Sequence, residues 1–132
     1  GLMLGLTELG IRPGWFIGAF HPVGTNIIVM NKTVLRIVES TKPKLYKAYC
    51  FHVLLHEYLH TIGILDENYT REVTYLISRN TFGEYHPVTQ IAQDFNRFFP
   101  EIMYAGLNMR MLENTRIEIV EGFDESNTSY IG

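Results

Sequence analysis

His52-Val53-Leu54-Leu55-His56-Glu57-Tyr58-Leu59-His60-Thr61-Ile62-Gly63 is the stretch on which the reading of this chain turns. Nothing from Lys44 to Ile62 breaks a helix. Pro43 suits a first helical position, where its missing N–H costs nothing, and Gly63 suits a C-cap. Residues four apart on a helix share a face, one turn above the other. His56 and His60 can therefore turn both imidazoles toward one cation, with Glu57 reaching the edge of the same site. Two His at this spacing with a Glu after the first is the zinc-protease arrangement, the Glu serving as general base toward a water on the metal. Val53, Leu54, Leu55, Leu59 and Ile62 would bury the motif. A buried His-Glu-His cluster is costly unless its charges are paired or ligate a metal. The bland alternative is two core histidines satisfied by neighbours, beside a chance Glu. His52, one turn earlier, reads as a core or supporting histidine rather than a ligand. His21, before Pro22 in a Gly-rich loop, reads as structural or surface.

Outward from that helix, the chain divides into a strand-bearing start and a helical middle. Gly and Pro punctuate the first thirty residues (Gly10, Pro13, Gly14, Gly18, Pro22, Gly24), which suggests loops around short strands. Trp15-Phe16-Ile17 and Thr25 to Met30 have strand composition. Thr33 to Val38 fits helix or strand, because so short an apolar run has no decisive period. Asp66 or Asn68 can cap a second helix running to about Arg79 and ended by Asn80 and Gly83. Pro87 can open a third, to about Phe98 before Pro100. Ile117-Glu118-Ile119-Val120 alternates like a short strand, and Asp124 to Ser129 is a polar end.

Composition bounds the function. At 132 residues with 46% apolar content, the chain is long enough for one core and too apolar to be disordered throughout. Its longest apolar runs, such as Ile27 to Met30, fall far short of the ~20 residues a membrane span needs. A net charge of −3 without a basic run argues against nucleic acid as the main partner. Acidity gathers at the end: residues 101–132 hold six acidic residues (Glu101, Glu113, Glu118, Glu121, Asp124, Glu125) against Arg110 and Arg116. Cys50 is the lone cysteine, so no internal disulfide forms, and a reducing, cytoplasmic compartment is expected.

Catalytic zinc usually takes three protein ligands and keeps a fourth position open. Three residues after the motif compete for the third place. Asp66 stands in His-x-x-Gly-x-x-Asp register, which resembles the metzincin pattern, and Ile102-Met103-Tyr104 resembles a Met-turn. Glu72 lies about as far beyond a turn near Asp66 as His60 lies before it, the gluzincin solution. His86 is the only His after the motif, and imidazole is a favoured zinc ligand. Tyr75 and Tyr85 could offer a phenol to an oxyanion, although tyrosines at this density are more often core and rim residues.

Residues 52–95, and most specifically His56-Glu57-x-x-His60 followed by Phe82-Gly83-Glu84-Tyr85-His86-Pro87, resemble the minigluzincins. These are small soluble metallopeptidase zymogens of thermophilic prokaryotes, related to gluzincins and to the catalytic domains of integral membrane metallopeptidases. The likeness covers about residues 25–99 and is loose at either end. It implies a histidine as third ligand, which places that role on His86 and leaves Glu72 to support a ligand His or face solvent. It also implies latency imposed by the C-terminal segment, through an extended tail or an intermolecular swap.

The expected fold is therefore α+β. It is a single compact zincin-like domain with a small N-terminal β-sheet on an active-site helix and further helices, followed by a C-terminal tail. Residues 1–112 would form the catalytic domain and residues 113–132 a tail that inhibits it. The expected activity is that of a zinc-dependent endopeptidase with one catalytic Zn2+ on His56, His60 and His86, and Glu57 as general base. Its partners would be peptide or protein substrates, with no nucleic acid and no membrane span, in a monomer or a tail-swapped dimer. The strand Ile27 to Asn31 would offer its edge to an extended peptide. Competing classes are a non-catalytic structural zinc module closed by a fourth protein ligand, a metzincin-like peptidase using Asp66, and an interaction protein without metal.

Overall fold

The computed structural model describes residues 1–9, 16–103 and 116–123. Within these, four strands and five helices form one α+β layer pair: β1 (Met3–Thr7), β2 (Ala19–Phe20), β3 (Ile27–Asn31), α1 (Lys32–Thr41), α2 (Tyr46–Thr61), α3 (Glu67–Phe82), α4 (Pro87–Gln93), α5 (Phe95–Phe98) and β4 (Glu118–Ile119). The sheet order is β2-β3-β1-β4, with β1 parallel to β3 and both outer strands antiparallel to their neighbours.

The stretch Thr33 to Val38, undecided by periodicity, is helical. The reason lies one residue earlier. Asn31 ends β3 and caps α1, its side chain accepting from the Thr33 amide at 3.1 Å, the arrangement that commits a chain to helix. Val34 and Val38 then fall on the buried face. Pro43 opens a 3₁₀ turn, Pro43–Leu45, that leads directly into α2. Helix α2 is apolar around much of its girth and lies at the centre, against the sheet and helices α1, α3 and α4. Its Ala48, Tyr49 and Val53 join Ala19, Met30, Val34, Val38, Val88, Ile91, Phe99 and Ile102 in the core.

Helix α3 buries a polar stripe instead. Thr70, Thr74 and Ser78 are buried, and each hydroxyl donates at 2.7 Å to the carbonyl four residues back, so the stripe satisfies itself. The third expected helix is broken at Asp94, whose extended backbone separates α4 from α5 and whose carboxylate accepts from the Arg97 amide.

Strand β3 is not an edge. It pairs with β1 over all five residues, and β2 covers Val29 and Met30 on its other side, which corrects the expectation that Ile27 to Asn31 offers a free edge. Ile17 forms a single bridge to Met103, while Trp15 lies outside the described residues. Expected strand 117–120 is present as β4. Residues 104–115 and the polar end from Asp124 lie outside the described residues. No helix among the described residues is long and apolar enough to cross a membrane.

Candidate metal centre

The site is built where α2 hands over to α3. Helix α2 ends at Thr61, and Gly63 takes φ +102°, a left-handed turn that glycine tolerates without strain. Asp66 caps α3, its carboxylate accepting from the Tyr69 amide at 2.7 Å. The cap fixes the next residue, Glu67, as the first of α3, and its side chain reaches back to the last turns of α2.

There it meets both motif histidines. Glu67 Oε1 lies 2.6 Å from His60 Nε2, and Oε2 lies 3.2 Å from His56 Nε2. One ligand atom from each of His56, His60 and Glu67 lies within 4.8 Å of the others. His56 and His60 are buried and Glu67 is half-buried. The three form a cluster able to hold a metal ion, with zincin-like spacing on the two histidines.

Hydrogen bonding orients this cluster toward a cation. The Ile64 carbonyl lies 2.7 Å from His60 Nδ1 and can only accept, so Nδ1 carries a proton. Neutral His60 then has its lone pair on Nε2, facing a carboxylate oxygen. Two acceptors 2.6 Å apart need a second proton between them, and a metal could replace that proton only with the pair slightly further apart; a backbone carbonyl behind the ring is the support that metal-ligating histidines commonly have. Burial pushes His56 below the usual imidazole range, against the opposing pull of Glu67. Burial also raises the Glu67 carboxyl, but the hydrogen bonds and charges of His56 and His60 outweigh this and hold it below its ordinary value. His56 and Glu67 thus favour the deprotonated forms that ligate.

Glu57 is buried beside the cluster at 3% exposure. Burial, and after it the Glu67 carboxylate, push its carboxyl up to about 8, near the range in which a carboxyl exchanges protons at neutral pH.

The structure does not bring His86 into this group. His86 stands at the N-cap of α4, its Nδ1 accepting from the Val88 amide at 3.1 Å and its ring stacked on Phe82 at 4.5 Å. Asp66 is spent on the cap of α3, Glu72 is exposed on that helix, and Met103 lies at the sheet margin, its amide donating to the Phe16 carbonyl. His52 is a core residue, as expected: its ring stacks on Phe95 at 5.3 Å, and burial pushes it down to about 3. His21 is structural, its Nδ1 donating to the Ile27 carbonyl at 2.9 Å. Tyr85 is largely exposed, and Tyr75 lies under the Arg79 guanidinium.

Glu67 is the residue that reading the sequence missed. A usable signal was present in the pair Asp66-Glu67: a good capping residue followed by an acid puts that acid in the first turn, directed toward the preceding helix. Comparison with protein-family models, with curated proteins and with solved structures returned no match.

Proposed function

We propose that this protein is a zinc-dependent metallopeptidase of gluzincin type, with His56, His60 and Glu67 as ligands and Glu57 as general base. The observation that carries the reading is the convergence of two imidazoles and one carboxylate, from two helices, within 4.8 Å of one another beside a buried glutamate. Zinc held there would polarise a peptide carbonyl as a Lewis acid and lower the pKa of a water toward ~7. Glu57 would accept that water's proton as it attacks and pass it to the leaving amine nitrogen. Its raised pKa suits a group that must both take and give a proton. The Ile64 carbonyl holds the His60 ring through Nδ1, and the Asp66 cap holds Glu67 in place.

The likeness to minigluzincins supports the class, and latency goes with it. The last third of the chain meets the sheet at two places: Met103 pairs at Phe16 and Ile17, just before β2, and β4 pairs with β1. A peptide that paired with β1 by strand addition would have to displace β4. The acidic balance of residues 101–132 suits attraction to a cationic centre.

The test is zinc per chain in protein purified without chelator, for wild type, Glu67→Ala and His86→Ala side by side. About one zinc in wild type and in His86→Ala, with clear loss in Glu67→Ala, supports the ligand set. The reverse pattern returns the third place to His86. In a chain ending at residue 123, Glu57→Gln should keep zinc and lose peptidase activity by about 10²–10⁴. Zinc-loaded full-length and shortened chains that are both silent toward peptides would leave a structural metal module.

A further inference from the structure

Phe82 and His86, which open and nearly close the stretch Phe82 to Pro87 singled out in the sequence, take no part in the metal cluster. They line a cavity of about 340 Å³ at the opposite end of the α2–α3 pair, with Lys44, Lys47 and Phe51. That volume is at the small end of the ~300–1,000 Å³ typical of ligand pockets, enough for one large side chain and its polar end group.

The wall is aromatic and open. Phe51 and Phe82 meet edge to face at 5.1 Å, and the His86 ring stacks on Phe82 at 4.5 Å. Both phenylalanines stay well exposed, at 41% and 37%. The rim is cationic. Lys44 sits in the 3₁₀ turn and Lys47 in the first turn of α2, which carries no acidic residue. The first turn is the positive end of a helix, so lysines there are placed against the helix dipole. Among the described residues, no carboxylate lines the cavity. His86 adds a donor: because its Nδ1 accepts from the Val88 amide, the ring proton is on Nε2.

We propose that this cavity is a binding site for a carboxylate attached to an aromatic or branched apolar group, the chemistry that the C-terminal residue of a peptide presents. The apolar group lies against Phe51 and Phe82, and the carboxylate meets Lys44, Lys47 and the His86 Nε2–H. The site is separate from the metal cluster and does not depend on it.

The experiment is titration of the full chain with N-acetyl-L-phenylalanine, its neutral amide and acetate, followed residue by residue through backbone amide shifts in NMR. The acid should shift Phe51, Phe82, His86 and Val88, the amide should bind roughly tenfold more weakly for want of charge-assisted hydrogen bonds, and acetate should shift nothing there. The double variant Lys44→Ala/Lys47→Ala, both exposed positions, should show the same loss while its spectrum elsewhere superimposes on wild type. Equal binding of acid and amide, shifts confined to His56, His60 and Glu67, or no shift at about 10 mM probe, well above the millimolar affinity expected of so small a ligand, would each overturn the proposal. A pentapeptide ending in Phe that binds more tightly than the single residue identifies a peptide end as the source. Equal binding identifies a small free acid, with the carboxylate chemistry the same.

Discussion

Asn31 shows how much one buried polar side chain can organise. It is wholly buried, its Oδ1 accepts from the Thr33 amide at 3.1 Å and the Leu9 amide at 3.2 Å, and its Nδ2 donates to the Ile17 carbonyl at 3.0 Å. One amide group thus ends β3, starts α1 and ties down two loops. Asn31→Ala removes a cap and the side-chain partners of two partly buried backbone groups, which should cost about 2–4 kcal/mol. Asn31→Asp should fail to rescue it, since aspartate keeps the acceptor but loses the donor to Ile17 and buries a charge. Urea denaturation measures both, and a loss below about 1 kcal/mol for the alanine variant would show that the network is not what fixes this junction. At this same scale the motif His56-Glu57-x-x-His60 was legible, because helical spacing is a local property. Glu67 was not, because its part depends on the angle between two helices, and that angle is set by the Gly63 turn and the Asp66 cap together.

Elements were legible where their end signals are local and strong. Asp66, Gly83 and Pro87 mark boundaries of α3 and α4 that the structure reproduces. Strand β1 escaped notice because Gly5 sits at its centre and a glycine weakens a strand signal. A partner explains the glycine: a Cβ at Gly5 would overlap the Ile117 side chain, which comes from the far end of the chain. Gly18 marks the same kind of close approach between β2 and α2. A Cβ there would collide with the Tyr49 hydroxyl oxygen and stand 3.2 Å from Ile102 Cγ2. Tyr49 cannot swing aside, being wholly buried with its ring 5.0 Å from Phe99 and 6.4 Å from Phe95. Gly18→Ala should therefore cost about 1–3 kcal/mol through overpacking, despite adding a single methyl. Thermal unfolding of Gly18→Ala beside Gly24→Ala separates this from backbone strain, since Gly24 takes φ +82° but has open space around its missing Cβ. A Gly18→Ala protein as stable as wild type would mean that Tyr49 is not held by its neighbours.

For the whole molecule, the question is what the last residues do. Sheet order was beyond the reach of local pattern, because β1 takes its partners from distant sequence, β4 from more than a hundred residues away. In the structure, residues 116–120 are built into the domain. Gly5 and Leu6 pair with Ile119 and Glu118, the Val120 amide donates to the Leu4 carbonyl at 2.8 Å, and the Thr7 hydroxyl donates to the Arg116 carbonyl at 2.6 Å. The exposed Lys32–Glu118 ion pair at 3.2 Å adds little. Shortening the chain to residue 115 would strip that strand and leave β1 as an open edge, ready to pair with a second molecule. Losing these bonds and the Ile117 contact should lower the melting temperature by about 5–15 °C and promote self-association. A chain ending at residue 123 keeps β4 and every bond named above. The pair of truncations bears directly on latency, because a gain of peptidase activity in the 1–115 chain alone could follow from loosening the sheet. Activity that rises already in the 1–123 chain, at unchanged melting temperature, belongs to removal of the acidic end itself. Thermal melts of both chains with peptidase assays on the same samples decide it, and a 1–115 chain that melts like wild type would deny β4 its place in the domain's stability.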